Sequence, residues 1–355
     1  MQEKETKKIL FLYTELAGYF LSCIKKLHEK YSVEIHIVRY PVNKEAPFDF
    51  MFSDSITVYD ENNFDAEQLL ALTKKINPDI IYSSGWINKK YLKVCMYYKG
   101  KVPTIVGFDN HWKGTVKQYI ASIFSKFIVR NYFSHCWIPG EPQMEFAYKL
   151  GFTYDTILTG FYSANTDLFL SYYEMNKEYK LARMEKRFIY VGRYYDFKGI
   201  QTLWDAFVAM QEEQPNDWEL WCLGIGDIAP ISHPKIKHIG FVQPEQMTEY
   251  IKNTDVFVLP SLVEPWGVVV HEFAAAGFPL LCSNKVGAAS LFVKEGENGF
   301  IFESGNVSDL KSLLKKVVNL PKQELVKMGE ESNKMAQNLT LEKWTDTLMK
   351  LLDRK

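Results

Sequence analysis

Short apolar runs with no polar alternation, spaced by stretches of helical pattern, limit this chain more than any other feature. Lys8–Tyr13 (KILFLY) is the first, and it has the pattern of a parallel strand buried on both faces. An amphipathic helix follows to Lys30, and Val33–Tyr40, Ser55–Tyr59, Asp79–Ser83, Pro103–Phe108, His135–Pro139 and Thr156–Leu158 read as further strands. Helical segments at 65–76, 88–98, 113–131 and 142–150 separate most of them. Repeated β-α units imply a doubly wound sheet, whose ligands gather at the C-terminal ends of the strands. At 355 residues the chain exceeds one typical core, so two domains are expected.

Across 166–186 the rhythm lapses and charge rises, which marks a linker between a domain at 1–165 and another at 187–339. Arg187–Val191 opens a new strand that ends in Gly192-Arg-Tyr-Tyr-Asp-Phe-Lys-Gly199 before a helix over Ile200–Gln211. Arg193 and Lys198 flank that turn. An Arg fork and a Lys point charge at a helix start suit a diphosphate; a solvated turn with two incidental cations is the plain alternative. Further on, a strand at Val256–Leu259 leads to a loop holding Glu264, Pro265, Trp266 and Gly267. A small-residue helix over Val268–Ala276 then carries Glu272 and stops at Gly277 and Pro279. The free N–H groups at its start make an anion site that Gly267 lets a ligand approach. Glu272, inside the helix, is placed to accept two hydrogen bonds from a vicinal diol. Spacing alone is poor evidence, since Glu295 and Glu303 repeat it. The strand–loop–helix context raises it, with two ordinary surface carboxylates as the alternative.

The first domain offers two loops. Gly18 falls after the first strand, where a phosphate can approach, but there is no G-x-G-x-x-G nearby, which argues against a nicotinamide-dependent oxidoreductase. Phe108-Asp-Asn-His-Trp112 places Asp109, Asn110 and His111 at a strand end, where function collects; Asp109 or Asn110 could equally cap the next helix.

The run EPWGVVVHE, between VLPS and AAAGFPLLCSN, resembles the E-x7-E signature of retaining group 1 glycosyltransferases with the GT-B fold. The segment GRYYDFKG is similar to that family's other signature, G-R-x-x-x-x-K-G after a strand. The resemblance covers 186–305 by motif and 1–165 by layout. It implies two Rossmann-like doubly wound α/β domains facing across a cleft. It also implies metal-free transfer, with retention, of a sugar from a nucleoside diphosphate sugar to a glycan or lipid-linked acceptor, as in surface polysaccharide or glycoconjugate synthesis. By the same resemblance Glu264 lies beside the transferred sugar, Glu272 holds the ribose, and Arg193 and Lys198 bind the diphosphate. The backbone of Trp266, Gly267 and Val268 lines sugar and phosphate, and that of Val242 passes the base. Trp266 stands where most members have Phe. His111, then Asp109, are the candidates to touch the sugar. Gly18 lies near the donor, single where the family often has two glycines. The last helix, 340–355, returns to the first domain with Trp344 as its anchor. The nucleotide sugar is a substrate, no cofactor is implied, and the absence of D-x-D agrees with the absence of a metal.

The helix over 113–131 mixes Lys113, Lys117, Lys126 and Arg130 with an apolar stripe at Ile120, Ile123, Phe124, Phe127 and Ile128. Ordinarily such a stripe packs into a core; the alternative lays it on anionic lipid at the inner face of a membrane. Residues 1–165 carry 20 Lys+Arg against 17 Asp+Glu, a weak leaning the same way. A net charge of −1 excludes general attraction to nucleic acid. Five scattered cysteines without C-x-x-C, and no secretory signal before the first strand, point to the cytoplasm. No run approaches the length of a spanning helix. A catalytically inactive GT-B-like binding partner is a rival reading, which the presence of all four charged motif residues opposes. A sugar-nucleotide epimerase or a phosphorylase lies nearer and stays open.

Overall fold

The computed structural model describes residues 6–41 and 55–353. Residues 354 and 355 of the expected last helix lie outside the described residues, as do the side chains of Lys117, Lys126 and Phe127. The chain divides into two compact units, Met1–Asn165 with Leu341–Lys355, and Thr166–Thr340.

In the first unit the strands are β1 (Lys8–Tyr13), β2 (Glu34–Arg39), β3 (Ile56–Asp60), β4 (Ile80–Ser84), β5 (Thr104–Gly107), β6 (His135–Trp137) and β7 (Ile157–Leu158). Between them run α1 (Gly18–Tyr31), α2 (Ala66–Ile76), α3 (Lys89–Tyr98), α4 (Val116–Tyr132) and α5 (Met144–Lys149). All pairings are parallel, in the order β3-β2-β1-β4-β5-β6-β7. Alternate residues of β1 feed two separate cores. Ile9, Phe11 and Tyr13 enter the layer with α1, while Leu10 and Leu12 enter the layer with α2 and α3. That is the two-sided burial which an unbroken apolar run requires. Helix starts are fixed locally: Asp65 and Gln68 form a capping box on α2, and Asn88 caps α3.

The α4 helix departs from the ordinary expectation. Its apolar stripe is not in the core: Ile120, Ile123, Phe124 and Ile128 are all more than half exposed, as are Val116 and Tyr119. Among its described side chains, Ser122 and Val129 are the buried ones. The Arg130 guanidinium donates to the carbonyls of Phe133 (3.2 Å) and Ser134 (2.6 Å).

The second unit opens with α6 (Thr166–Ala182), where a linker was expected. Phe169, Tyr172 and Asn176 bury a narrow stripe along it, hidden in the sequence by the charges between them. The Tyr172 hydroxyl donates to the Pro244 carbonyl at 3.1 Å. Then come β8 (Arg187–Val191), α7 (Ile200–Glu213), β9 (Glu219–Leu223), β10 (Ile236–Gly240), α8 (Thr248–Lys252), β11 (Val256–Leu259) and α9 (Val268–Ala275). The unit closes with β12 (Leu280–Ser283), α10 (Ala289–Phe292), β13 (Gly299–Phe302), α11 (Val307–Val318) and α12 (Lys322–Ala336). Its sheet is also parallel, ordered β10-β9-β8-β11-β12-β13.

The final helix, α13 (Leu341–Asp353), belongs to the first unit. Trp344 is fully buried there, its indole N–H donating to the Phe161 carbonyl at 2.7 Å and its ring 4.7 Å from that of Trp137. Leu341, Leu348 and Leu351 share the same core. Trp344→Ala would remove a large buried ring and an indole donor at once. Equilibrium denaturation should show a loss of about 3–5 kcal/mol, the usual range for truncating a buried aromatic.

Candidate active site

In the second sheet the strand order reverses between β8 and β11, and the crevice outside that pair of strand ends is where a doubly wound sheet accepts ligands. The loops leaving those two strands are stitched together. The amides of Leu262 and Val263 both donate to the Phe197 carbonyl, at 2.9 and 3.1 Å. Gly199, with φ of 65°, closes the turn so tightly that a Cβ there would lie 2.1 Å from the Pro260 carbonyl oxygen. Only glycine fits. The result brings Lys198 against Glu264 as an ion pair, with the Ser261 hydroxyl donating to the same carboxylate oxygen at 3.1 Å. Glu264 is 8% exposed. Its main chain is held from the far side by the Gly287 amide at 3.0 Å.

Gly267 caps α9 in a left-handed conformation, φ 94°, with Glu264 packed beneath it. Trp266 is buried against Phe292, so residue 266 offers the surface only its backbone. Arg193 is exposed and lies over the Tyr195 ring, which stacks on Phe197 at 5.6 Å. Val242 follows the C-terminal end of β10. The neighbouring His271 is a fixture of the core: burial drives its imidazole down to about 4, and its Nε2 meets the Ala336 carbonyl at 3.0 Å.

Glu272 sits one turn into α9, partly exposed, with no hydrogen-bond or ion-pair partner among the described residues. Burial of its carboxyl, then the nearby Glu245 charge, pushes its pKa up to about 7. A carboxylate placed so has spare acceptor capacity.

The first unit has its own reversal, between β1 and β4. Gly18 begins α1 just past β1, and the Thr14 and Ser84 hydroxyls meet at 3.0 Å across the two strand ends. Asp109 and His111 follow β5. The Tyr162 hydroxyl donates to Asp109 Oδ2 at 3.3 Å, and the Gln143 amide donates to the Asp109 carbonyl at 3.2 Å. Neither Asp109 nor Asn110 caps α4; Thr115 does, because the helix begins later than its apolar pattern suggests. Thus Arg193, Lys198, Glu264, Glu272, Trp266, Gly267, Val268 and Val242 lie at or near one edge of the second unit. Gly18, Asp109 and His111 lie at the corresponding edge of the first. Tyr162 and the Thr14–Ser84 pair were invisible in the sequence, which gives no local signal for a side chain that reaches a strand end from another element.

Residues 173–338 match the model of a family described as glycosyl transferases group 1. The second unit belongs to the group 1 glycosyl transferases. An uncharacterized glycosyltransferase of Haemophilus influenzae is 26% identical over 176 residues, 46% of this chain and 48% of that protein. The lipopolysaccharide core biosynthesis glycosyltransferase LpsE of Rhizobium meliloti is 28% identical over 174 residues, 46% of this chain and 49% of its own. The chain therefore spans about half the length of these curated relatives. Among solved structures, Anabaena HepE in complex with UDP and glucose superposes with a TM-score of 0.71 at 14% identity, covering 98% of this chain and 100% of that one. At that identity the likeness concerns the fold, which is the two-domain GT-B fold.

The raised Glu272 pKa makes a stability prediction. A carboxyl whose folded pKa exceeds its unfolded value stabilises the protein fully at low pH and loses that contribution as pH rises through about 7. Glu272→Gln should match wild type at pH 4 and exceed it above pH 7, by about 3 kcal/mol at most. Thermal melts across that range would show it.

Proposed function

We propose that this chain is a retaining, metal-independent glycosyltransferase that moves a sugar from a nucleoside diphosphate sugar to a glycan or lipid-linked acceptor. The observation that carries the reading is the meeting of Lys198 with Glu264 at the reversal point of the second sheet, with Arg193 on the same loop as Lys198. A diphosphate entering there finds a planar guanidinium, an ammonium and the N-terminal amides of α9. As the glycosidic bond loosens, the leaving diphosphate gains charge, and donors already in place stabilise it without reorganising. Lys198 would then exchange one anion for another, releasing Glu264 to the sugar. Glu272 takes the ribose diol, and the exposed Ile225 and Phe241, after β9 and β10, offer an apolar edge to the base. UDP is the nucleotide to try first, since it is the one bound in HepE.

The acceptor side has one further support. The outward apolar face of α4, with Lys113 exposed at its start, is the composition of a helix that lies in a lipid interface. No helix among the described residues is long and apolar enough to cross a membrane. Peripheral contact at an anionic cytoplasmic leaflet would bring the enzyme to a lipid-linked acceptor or to a growing surface polysaccharide.

A product assay with a panel of nucleotide sugars tests the reaction. Lys198→Ala should lower kcat roughly 10²–10³-fold, the scale of losing one transition-state donor, read at a temperature where the variant is folded, since the unpaired Glu264 carboxylate lowers its melt. Glu272→Ala should instead weaken UDP binding by about 10- to 100-fold, the worth of hydrogen bonds to a charged group. Unchanged kinetics in either variant would strip that residue of its role. For the membrane, the Ile123→Asp, Phe124→Asp double variant should cut co-sedimentation with phosphatidylglycerol vesicles roughly tenfold or more.

A further inference from the structure

The second unit has a cavity at the end of its sheet away from Lys198 and Glu264. Asp255 leads into β11, and Gly277 and Pro279 lead into β12; all three line it, together with the last turns of α6 and the first turns of α12. Met184, Leu325 and Val326 supply an apolar wall. The charges around it are four cations, Lys177, Lys180, Arg183 and Lys322, against two carboxylates, Asp255 and Glu330.

Lys180 is the group that packing alone does not explain. Its ammonium is closed off from water, yet makes no hydrogen bond with any described residue. The nitrogen lies over the Phe278 ring at 3.4 Å, a contact that attracts the charge but leaves its N–H donors unused. Asp255 acts on it through space only, because that carboxylate accepts from the Arg187 amide at 3.2 Å and from neighbouring main-chain groups. Burial pulls the Lys180 ammonium down to about 7, with Asp255 opposing. A methionine would cover Phe278 equally and strand no charge.

The other cations are placed differently. Lys177 is taken by Glu174 at 2.5 Å, and Arg183 is exposed beside the Tyr179 ring. Lys322 is half-buried at the start of α12, where the helix dipole also favours an anion. One negative charge is what the cavity calls for. A carboxylate would meet Lys180 with Lys322 beside it, and the apolar wall would take whatever the carboxylate is attached to. A dianion such as phosphate meets Asp255 and Glu330 as well and is opposed by both.

We propose that this cavity is a second ligand site, at the opposite end of the sheet from the sugar-nucleotide crevice, for a small carboxylate with an apolar body. Its head pairs with the Lys180 ammonium and its body lies against Met184, Leu325 and Val326. The site lies wholly within the second unit and is independent of the transfer reaction.

Calorimetry on the full chain tests it, with hexanoate and phenylacetate as probes, acetate as the head without a body and hexanol as the body without a head. At least one of the two probes should bind about tenfold or more tighter than acetate or hexanol, the worth of a charge-assisted hydrogen bond on one side and of a buried apolar body on the other. In Lys180→Met the advantage over hexanol should vanish, with a melt no lower than wild type, since methionine still covers Phe278. At about pH 8, where an amine so desolvated is mostly uncharged, binding to wild type should take up a proton, seen as a dependence of the heat on the buffer's ionisation enthalpy. Binding by neither probe, equal affinity for acetate or hexanol, undiminished affinity in Lys180→Met, or binding with no proton taken up would each overturn the site. Should Lys180→Met melt early, Lys180→Gln is read in its place, with the same expected direction.

Discussion

A lysine and a glutamate 66 residues apart in sequence meet at the end of a parallel sheet, and the chemistry assigned to the second unit follows from their meeting. Both side chains are largely withdrawn from water, at 17% and 11% exposure, so neither charge could stay there alone. Within the pair each charge is neutralised by the other, and Ser261 adds a hydrogen bond to the Glu264 carboxylate. What holds it is backbone: two amides on the Phe197 carbonyl and a glycine whose missing side chain lets two loops touch. The strand order supplies the rest. Only where β8 and β11 diverge do helices leave on opposite faces and open a crevice.

Much of this was legible. The buried runs gave parallel strands because a strand covered on both faces cannot alternate polar and apolar residues, and β1 divides its side chains between two cores as that logic requires. The motif around Gly192–Gly199 and that around Glu264–Glu272 could be read because each is contiguous in sequence. The misreadings share a cause. The helix α6 reads as a linker in the sequence because four buried positions in seventeen residues give too faint a stripe among charges. The helix α4 carried a clear stripe, but periodicity reports that one face is apolar and not which way the face points. Only Ser122 and Val129, packed inward, settle that. The cap of α4 fell to Thr115, a residue the apolar pattern had already placed inside the helix.

The two units divide their labour along chemical lines. The edge of the second is charged, with two cations, two carboxylates and a helix start, which suits a phosphate-bearing ligand. The edge of the first carries the Tyr162 phenol, the Thr14 and Ser84 hydroxyls and the Asp109 carboxylate. Such a contrast fits a reaction in which one partner departs as an anion and the other arrives neutral.

The position of α13 has a bearing on how the molecule is made. The core that receives Trp344 is otherwise complete by residue 165, yet its last layer is encoded only after the whole of the second unit. On the ribosome, the nascent first unit must therefore wait with an open apolar face beside α1 while some 175 residues, Thr166–Thr340, emerge and fold. Frameshifts or early stops late in the message would thus injure the half of the protein synthesised first, and chaperone dependence would be written into the order of translation itself.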